Sequence, residues 1–516
     1  MTRSCRKNVA RRGAVLLIVV VVLLLVSLAI TGLVSLSQSE MQATKVRTQE
    51  MVLENLLLSG ENVVAAFASL PRQQRSLLET PSETANWFRT QHVAVEETGP
   101  EEPSFSILPV MSFAPDEPLS FGPTNESSKL NLRTLLEFDR RSPGYGERAL
   151  LELPGMTPEA AASIMDWLDA DEVVRQNGAE IEEYLAADAS VVPANAIPAQ
   201  LEELALVANT TWADWFNEVL PSRANERASG RNAEFHPGWL QYLTLHSRER
   251  NESVTGQPRV HLNDPNLQSL HSRLTARVGK SMADFVVQYR QYGPAQARAS
   301  SPLAPRTPRT PVQPAPAAGL DFRIPARFTF ASELDLVGGV VAIRRGAEIV
   351  RRIESPLSAN RTGWAGQLEQ LMDKVTVDAR PVIEGRINID VAPREVLLAI
   401  PEIDPVVVDQ ILTYRQLPAD GRRLHTHSTW LLEQGVVDLA RMKKLMPYVT
   451  TGGDVFQANI VACDPVRLLF FRELVVFDGS DPARGRLYCK SFRDSPLPFN
   501  VDLLLPERLR NETTKK

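Results

Sequence analysis

The densest group of potential metal ligands in the chain is Asp166, Asp169, Asp171 and Glu180. Hard carboxylate oxygens of this kind suit Ca²⁺, which takes six to eight oxygen donors. The plain alternative is a helix end whose acids face water and cap the next turn. His425 and His427 flank Thr426 at a spacing that can hold a metal, but no Cys or carboxylate lies within a few residues, so the pair reads as a solvated loop. Cys463 and Cys489 fall in a strand-rich region. An oxidising compartment permits a disulfide between them, and each equally suits a small buried apolar position. No nucleophile elbow, Walker loop, glycine-rich dinucleotide turn or His-Glu-x-x-His occurs, so nothing in the sequence supports enzymatic activity.

The element that must position all of this is at the N-terminus. Arg3, Arg6, Lys7, Arg11 and Arg12 precede Gly13, and Ala14 to Val34 is almost unbroken Val, Leu, Ile and Ala. At about 1.5 Å per residue that run just crosses a bilayer core of about 30 Å. It is too long for the apolar region of an ordinary secretory signal, and no Ala-x-Ala site follows it. The basic flank lies on the N-terminal side, so the remainder is expected outside the cytoplasm. From Ser35 the chain turns polar, and Leu53, Leu56, Leu57, Val63, Val64 and Phe67 form the stripe of an amphipathic helix, with Pro71 as its stop. One helix from Ala14 to about Leu70 would be roughly 85 Å long. On topology alone this is equally a signal anchor with a stalk.

The soluble part holds a repeated pattern. Its clearest copy runs Arg386-Ile387-Asn388-Ile389-Asp390, then Pro393, Val396, Leu397, Ile400-Pro401, Ile403, Val407, Ile411 and Arg415. A short strand ends at Asp390, which is expected to cap a helix with Pro393 in its first turn; a tight turn at Pro401 leads into a second helix. An earlier copy runs from Lys129-Leu130-Asn131-Leu132 through Leu153-Pro154-Gly155-Met156 to Trp167, and a weaker one from Arg259-Val260-His261-Leu262-Asn263 to Arg290. Such helix-hairpin-helix units often bind nucleic acid through a glycine-rich hairpin and basic side chains. Here Pro401-Glu402-Ile403-Asp404-Pro405 has no Gly and two acids. The chain carries a net charge of −6, which loss of the five leader charges would take to −11. Nucleic acid is therefore not an expected partner, and the units read as packing modules.

The basic leader, the Gly before a continuous hydrophobic helix and the amphipathic extension resemble the type IV pilin family. The resemblance implies that a prepilin peptidase cuts between Gly13 and Ala14 and methylates the new N-terminus. Most pilins carry Glu at the fifth mature position, where this chain has Ile18. A carboxylate in lipid needs a partner, and a chain without one suits the end of a filament. Further motifs are similar to general secretion pathway protein K, a minor pseudopilin of type II secretion. They are Asp166-Trp167-Leu168-Asp169-Ala170-Asp171, Gly178-Ala179-Glu180, Tyr184, Pro193-Ala194-Asn195, Glu202 to Val207 and Asn388 to Pro393. That family is known for calcium in its pseudopilins, which would place an ion on Asp169, Asp171 and Glu180.

The implied fold is α+β: a long transmembrane and amphipathic helix, a pilin-like antiparallel sheet, and a large inserted α-helical domain of helix-hairpin-helix, SAM-like units. The division is a leader at 1–13, the helix at 14–70, a first strand segment at 71–127 and a first helical unit at 128–210. A family-atypical helical insertion with the weaker repeat follows at 211–293. Seven prolines between Pro294 and Pro316 mark a disordered linker at 294–320. A strand-rich segment at 321–384 has strand character over Phe322–Phe330 and Glu333–Arg345. A second family unit at 385–450 and a C-terminal β segment at 451–516 complete the chain. The resemblance implies a single-pass inner-membrane protein, N-terminus cytoplasmic and bulk periplasmic. It would initiate a short filament at its tip, with other minor pseudopilins and inner-membrane assembly proteins as partners. The rival reading is a single-pass anchored helix-hairpin-helix protein, either a DNA-uptake protein or a generic scaffold.

Overall fold

The computed structural model describes residues 9–78, 86–91, 102–110, 120–186, 191–216, 238–295, 320–345, 348–360, 364, 366–415, 425–481 and 483–492. The start of the leader, most of the Pro-rich stretch and the C-terminus from 493 lie outside the described residues.

Helix α1 spans Val9–Ser69 without a break. Its residues 15–48 are exposed throughout. Leu53, Leu56, Leu57, Val64, Phe67 and Ala68 are then buried against a sheet, with Val63 half-buried beside them. Burying each large side chain of that stripe is worth about 1.5–3 kcal/mol, which is why α1 docks over this half. Pro71 cannot continue the α1 ladder and instead opens a short second helix, α2 (Arg72–Leu78), whose Arg75 N donates to the Pro71 carbonyl.

The sheet is antiparallel, in the order β1 (Ser104–Leu108), β2 (Val455–Asp464), β3 (Leu469–Asp478), β4 (Gly485–Phe492). Thr124–Asn125 extends the β1 edge by pairing Phe456–Gln457. Gly60 allows α1 to lie on β2: a Cβ there would stand 2.4 Å from Ile460 Cγ2. Cys463 and Cys489 do not pair. Both are free thiols; Cys463 sits opposite Phe470 and Cys489 opposite Val475. Five residues of offset put them about 17 Å apart along the strands, far beyond the roughly 5–7 Å between Cα atoms that a disulfide spans. Cys463 takes the buried apolar role and Cys489 is exposed.

Between β1 and β2 the chain leaves the sheet to build a helical head with its own core, reaching from Leu130 to Val449. Three units compose it, each opened and closed by a two-residue parallel strand pair. In the first, Leu130–Asn131 pairs Leu243–Thr244 around α3 (Leu132–Arg141), α4 (Tyr145–Leu151) and α5 (Pro158–Leu168). In the second, Val260–His261 pairs Val375–Thr376 around α6 (Leu267–Val278) and α7 (Lys280–Tyr292). In the third, Ile387–Asn388 pairs Val449–Thr450 around α8 (Arg394–Leu398), α9 (Pro405–Arg415) and α10 (Leu439–Leu445). Each closing threonine repeats one contact: the hydroxyls of Thr244, Thr376 and Thr450 accept from the amides of His246, Asp378 and Gly452, all at 3.0 Å. Local capping starts the helices, with Asn131 accepting from Arg133 N, Thr157 from Ala160 N ahead of Pro158, and Asn266 from Ser269 N.

Four expectations change here. The segments 211–293 and 321–384 are not an insertion followed by a separate strand region, because the Val260–Val375 pairing joins them into one unit. Phe322–Phe330 forms no strand; its backbone is taken up by α7, through Arg327 N and Phe328 N donating to Arg290 O. Over 333–345 only Val340–Arg345 is strand, since a capping box between Ser332 and Asp335 winds Glu333–Leu336 into a 3₁₀ turn. Finally, Asp390 does not cap α8. The cap position is Pro393, while Asp390 N donates to the Asn388 side chain.

Candidate functional site

The carboxylates singled out by sequence converge on the end of α5. Asp166 is on its buried face, Asp169 is its C-cap, and the chain then loops so that Arg175 returns to both. One guanidinium addresses four acids. Arg175 Nη1 lies 3.0 Å from Asp166 Oδ1 and also contacts Asp169 Oδ2, Nη2 is 3.2 Å from Asp139 Oδ2, and Nε is 3.3 Å from Glu147 Oε1. Gly178 is what lets the loop close: a Cβ there would stand 1.9 Å from Asp166 Oδ2. Burial pushes the carboxyls of Asp166 and Asp169 up, against the pull of Arg175.

Glu180 is different. It is only 3 % exposed, and neither of its carboxylate oxygens has a hydrogen-bond partner. Burial, followed by the negative charges of Asp166, Asp169, Asp171 and Glu172, pushes it up to about 7. Asp169 Oδ1 and Asn195 Oδ1 are also buried without partners, while Asn195 Nδ2 donates to Asp171 O at 3.1 Å. Unpaired buried oxygens of this kind are costly unless a cation completes them. An oxygen-rich, donor-poor pocket fits Ca²⁺ by chemistry. It is not a closed coordination sphere: Asp171 is exposed and occupied by Val173 N at 3.0 Å, and Asp169, Asp171 and Glu180 do not bring their ligand atoms within 4.8 Å of one another.

A second functional feature is the joint between shaft and head, which the sequence reading missed. Arg75, 3 % exposed, donates to Ala68 O, Gly453 O and Asp454 Oδ1 at 3.1, 3.0 and 2.6 Å. Asp454 also takes Arg250 N at 2.6 Å, and Arg250 Nη2 reaches Leu70 O at 3.0 Å. Arg72 crosses to the third unit, donating to Thr426 O and Thr451 Oγ1. Burial raises the Asp454 carboxyl, but Arg75, Arg250 and their hydrogen bonds outweigh it and hold it below its ordinary value. The only signal in the sequence was two arginines three residues apart just after Pro71.

The other candidates are resolved by packing. His427 is buried, and His425 stacks on Trp430 with ring centres 4.4 Å apart, so this is not a solvated loop. In the acidic hairpin, Glu402 pairs with Lys444 and Asp404 with Arg441, both from α10. Along the apolar segment of α1, the Thr31 hydroxyl donates back to Ser27 O at 2.6 Å, which satisfies the polar group within its own helix, as a lipid environment requires. The Gly13–Ala14 peptide lies within α1.

Residues 128–221, which carry α3 to α5, the Arg175 cluster and Glu180, match the family model described as type II secretion system (T2SS), protein K. Over that segment the chain is similar to the type II secretion system protein K family. The match supports a minor pseudopilin role in type II secretion, together with other components of that system. Among the described residues one helix is long and apolar enough to cross a membrane, which, taken with the family match, fits a single-pass inner-membrane protein. No curated protein matches the chain.

Proposed function

We propose that this protein is the tip subunit of a short periplasmic filament, with α1 in the filament axis and the three-unit head above it. The observation that carries the reading is the insertion of the whole head between β1 and β2, joined to the shaft through the Arg75–Asp454–Arg250 network. A head of that size on one side of a single helix is too wide to stack along a shaft of like subunits, but it meets no obstacle at the end. The absence of a carboxylate at Ile18 agrees with a subunit that has no successor above it.

In this reading the basic leader stays cytoplasmic, a prepilin peptidase cuts between Gly13 and Ala14, and Ala14 becomes the methylated N-terminus. Other minor pseudopilins pack on α1 and the sheet, and inner-membrane assembly proteins act from below. Calcium on Asp169, Asp171 and Glu180 would require these carboxylates to draw closer together, and the partnerless buried oxygens of Glu180, Asp169 and Asn195 are where it would gain most. The role is mechanical, with no catalytic step.

The test is the mass and N-terminus of the membrane-extracted protein, made with and without a prepilin peptidase. A peptidase-dependent start at Ala14 supports the reading. An intact leader in both backgrounds removes it and leaves an anchored scaffold.

A further inference from the structure

Among the described buried residues with which α1 meets the sheet, Glu61 is the charged one. On β3 the residues facing the helix alternate Phe471, Glu473, Val475, Phe477, so a carboxylate occupies a core-facing position inside an aromatic and aliphatic row. Opposite it on α1, Glu61 stands in the stripe between Leu57 and Val64. Both glutamates are 8 % exposed. The third member comes from β4. Cys489 is paired with Val475 and Ser491 with Glu473, and both place their polar atoms on Glu473 Oε1, Sγ at 2.6 Å and Oγ at 2.8 Å.

The charge here does not balance. Of the two nine-tenths-buried carboxylates, Glu61 meets the Arg486 guanidinium at 2.7 Å, with the Arg486 side chain 47 % exposed, while Glu473 takes the Cys489 thiol and the Ser491 hydroxyl. Packing alone offers no reason for this arrangement, since apolar residues at 61 and 473 would complete the stripe and the row without a desolvation cost. One ligand atom each from Glu61, Glu473 and Cys489 lie within 4.8 Å of one another, and no other trio of Asp, Glu, His or Cys does so among the described residues. A cavity of about 210 Å³, lined in part by Glu61, Glu473, Arg486 and Ser491, opens beside them and gives a hydrated ion a way in.

We propose that Glu61, Glu473 and Cys489 bind a thiophilic divalent cation of the zinc class, which pins α1 to β3 and β4. A thiolate with two carboxylates is a donor set for Zn²⁺, with water from the cavity as the fourth ligand of a tetrahedron. The soft sulfur separates this site from the all-oxygen pocket around Glu180, which suits Ca²⁺. On binding, the Cys489 thiol gives its proton to solvent and sulfur bonds the metal, so occupancy rises with pH. The ion would lock the shaft helix against its sheet at the level where the helix leaves the membrane-proximal region for the head.

The experiment uses the full-length, detergent-solubilised protein, stripped with a chelator and titrated with Co²⁺. The expected result is a sulfur-to-cobalt charge-transfer band that saturates at one ion per chain, is lost in Cys489→Ser, weakens at least tenfold in Glu473→Gln and is unchanged in Glu180→Gln. A missing band, or one that persists in Cys489→Ser, overturns the proposal. Because a substitution in the seam can disturb folding, a second measurement uses the unaltered protein. Zn²⁺ should slow alkylation of Cys489 at least tenfold, read by peptide mass, and an unchanged alkylation rate also overturns the site.

Discussion

Replacing Asp454 by Asn should loosen the head from the shaft while leaving each folded. The substitution keeps the shape of the side chain but removes its charge and one of its two acceptor oxygens, both of which are in use. Arg75 then remains 3 % exposed with the Ala68 and Gly453 carbonyls but no counter-ion, and Arg250 loses the same partner. Breaking one partner of a buried ion pair costs about 3–5 kcal/mol. An exposed pair such as Arg141–Glu137, whose side chains are 65 % and 53 % exposed, is worth about 0–1 kcal/mol and serves as the control through Glu137→Gln. At about 1.4 kcal/mol per tenfold, the buried change corresponds to a loss of roughly 100-fold or more in protection. The assay is amide hydrogen exchange by mass spectrometry on the full chain, read on peptides covering Arg72–Leu78 and residues 452–458, with the α5 peptide as internal reference. A loss below tenfold in the joint peptides, or an equal loss in α5, would refute the account of the joint.

Glu180→Gln should abolish the rise in thermal midpoint that Ca²⁺ gives the unaltered protein, about 2.7 kcal/mol at a hundredfold excess over the dissociation constant; an identical calcium shift in the variant would remove Glu180 from the ligand set. Gly178→Ala drives a methyl into the Asp166 carboxylate and should cost about 1–3 kcal/mol, seen as a lower urea midpoint by the fluorescence of buried Trp167. An unchanged midpoint would mean the loop is free to move aside. His427 is held neutral, well below its ordinary value, by burial and then by Arg259, Arg386 and Arg72. Below about pH 6.5 the unfolded chain therefore takes a proton that the folded chain refuses, and stability falls as pH drops. In His427→Gln that fall should be shallower between pH 7.5 and 5.5, and parallel melting curves in the two proteins would argue against it.

Much of this architecture was legible because it is written in short-range patterns. The apolar run and the stripe from Leu53 to Phe67 gave α1, and the C-terminal β segment placed at 451–516 holds three of the strands of the main sheet. The repeat was found from its opening residues, Asn131, His261 and Asn388. Its closing threonines were missed because they pair with those residues across 60 to more than 110 positions, and a two-residue strand leaves no periodicity to detect. For the same reason the second unit looked like two unrelated pieces. Glu180 and Asp169 were picked out by type and spacing, but the dominant feature of that cluster, Arg175 serving four acids, depends on a loop whose closure rests on Gly178. The seam trio has no sequence signature, since Glu61 and Glu473 come together only when the helix docks on the sheet.

Immunogold labelling of the head on filaments formed by excess major subunit tests the central claim most directly. A tip subunit predicts gold at one end of each filament and nowhere along its length. Gold spaced along the shaft would contradict the account, whatever the leader and the ion sites proved to be.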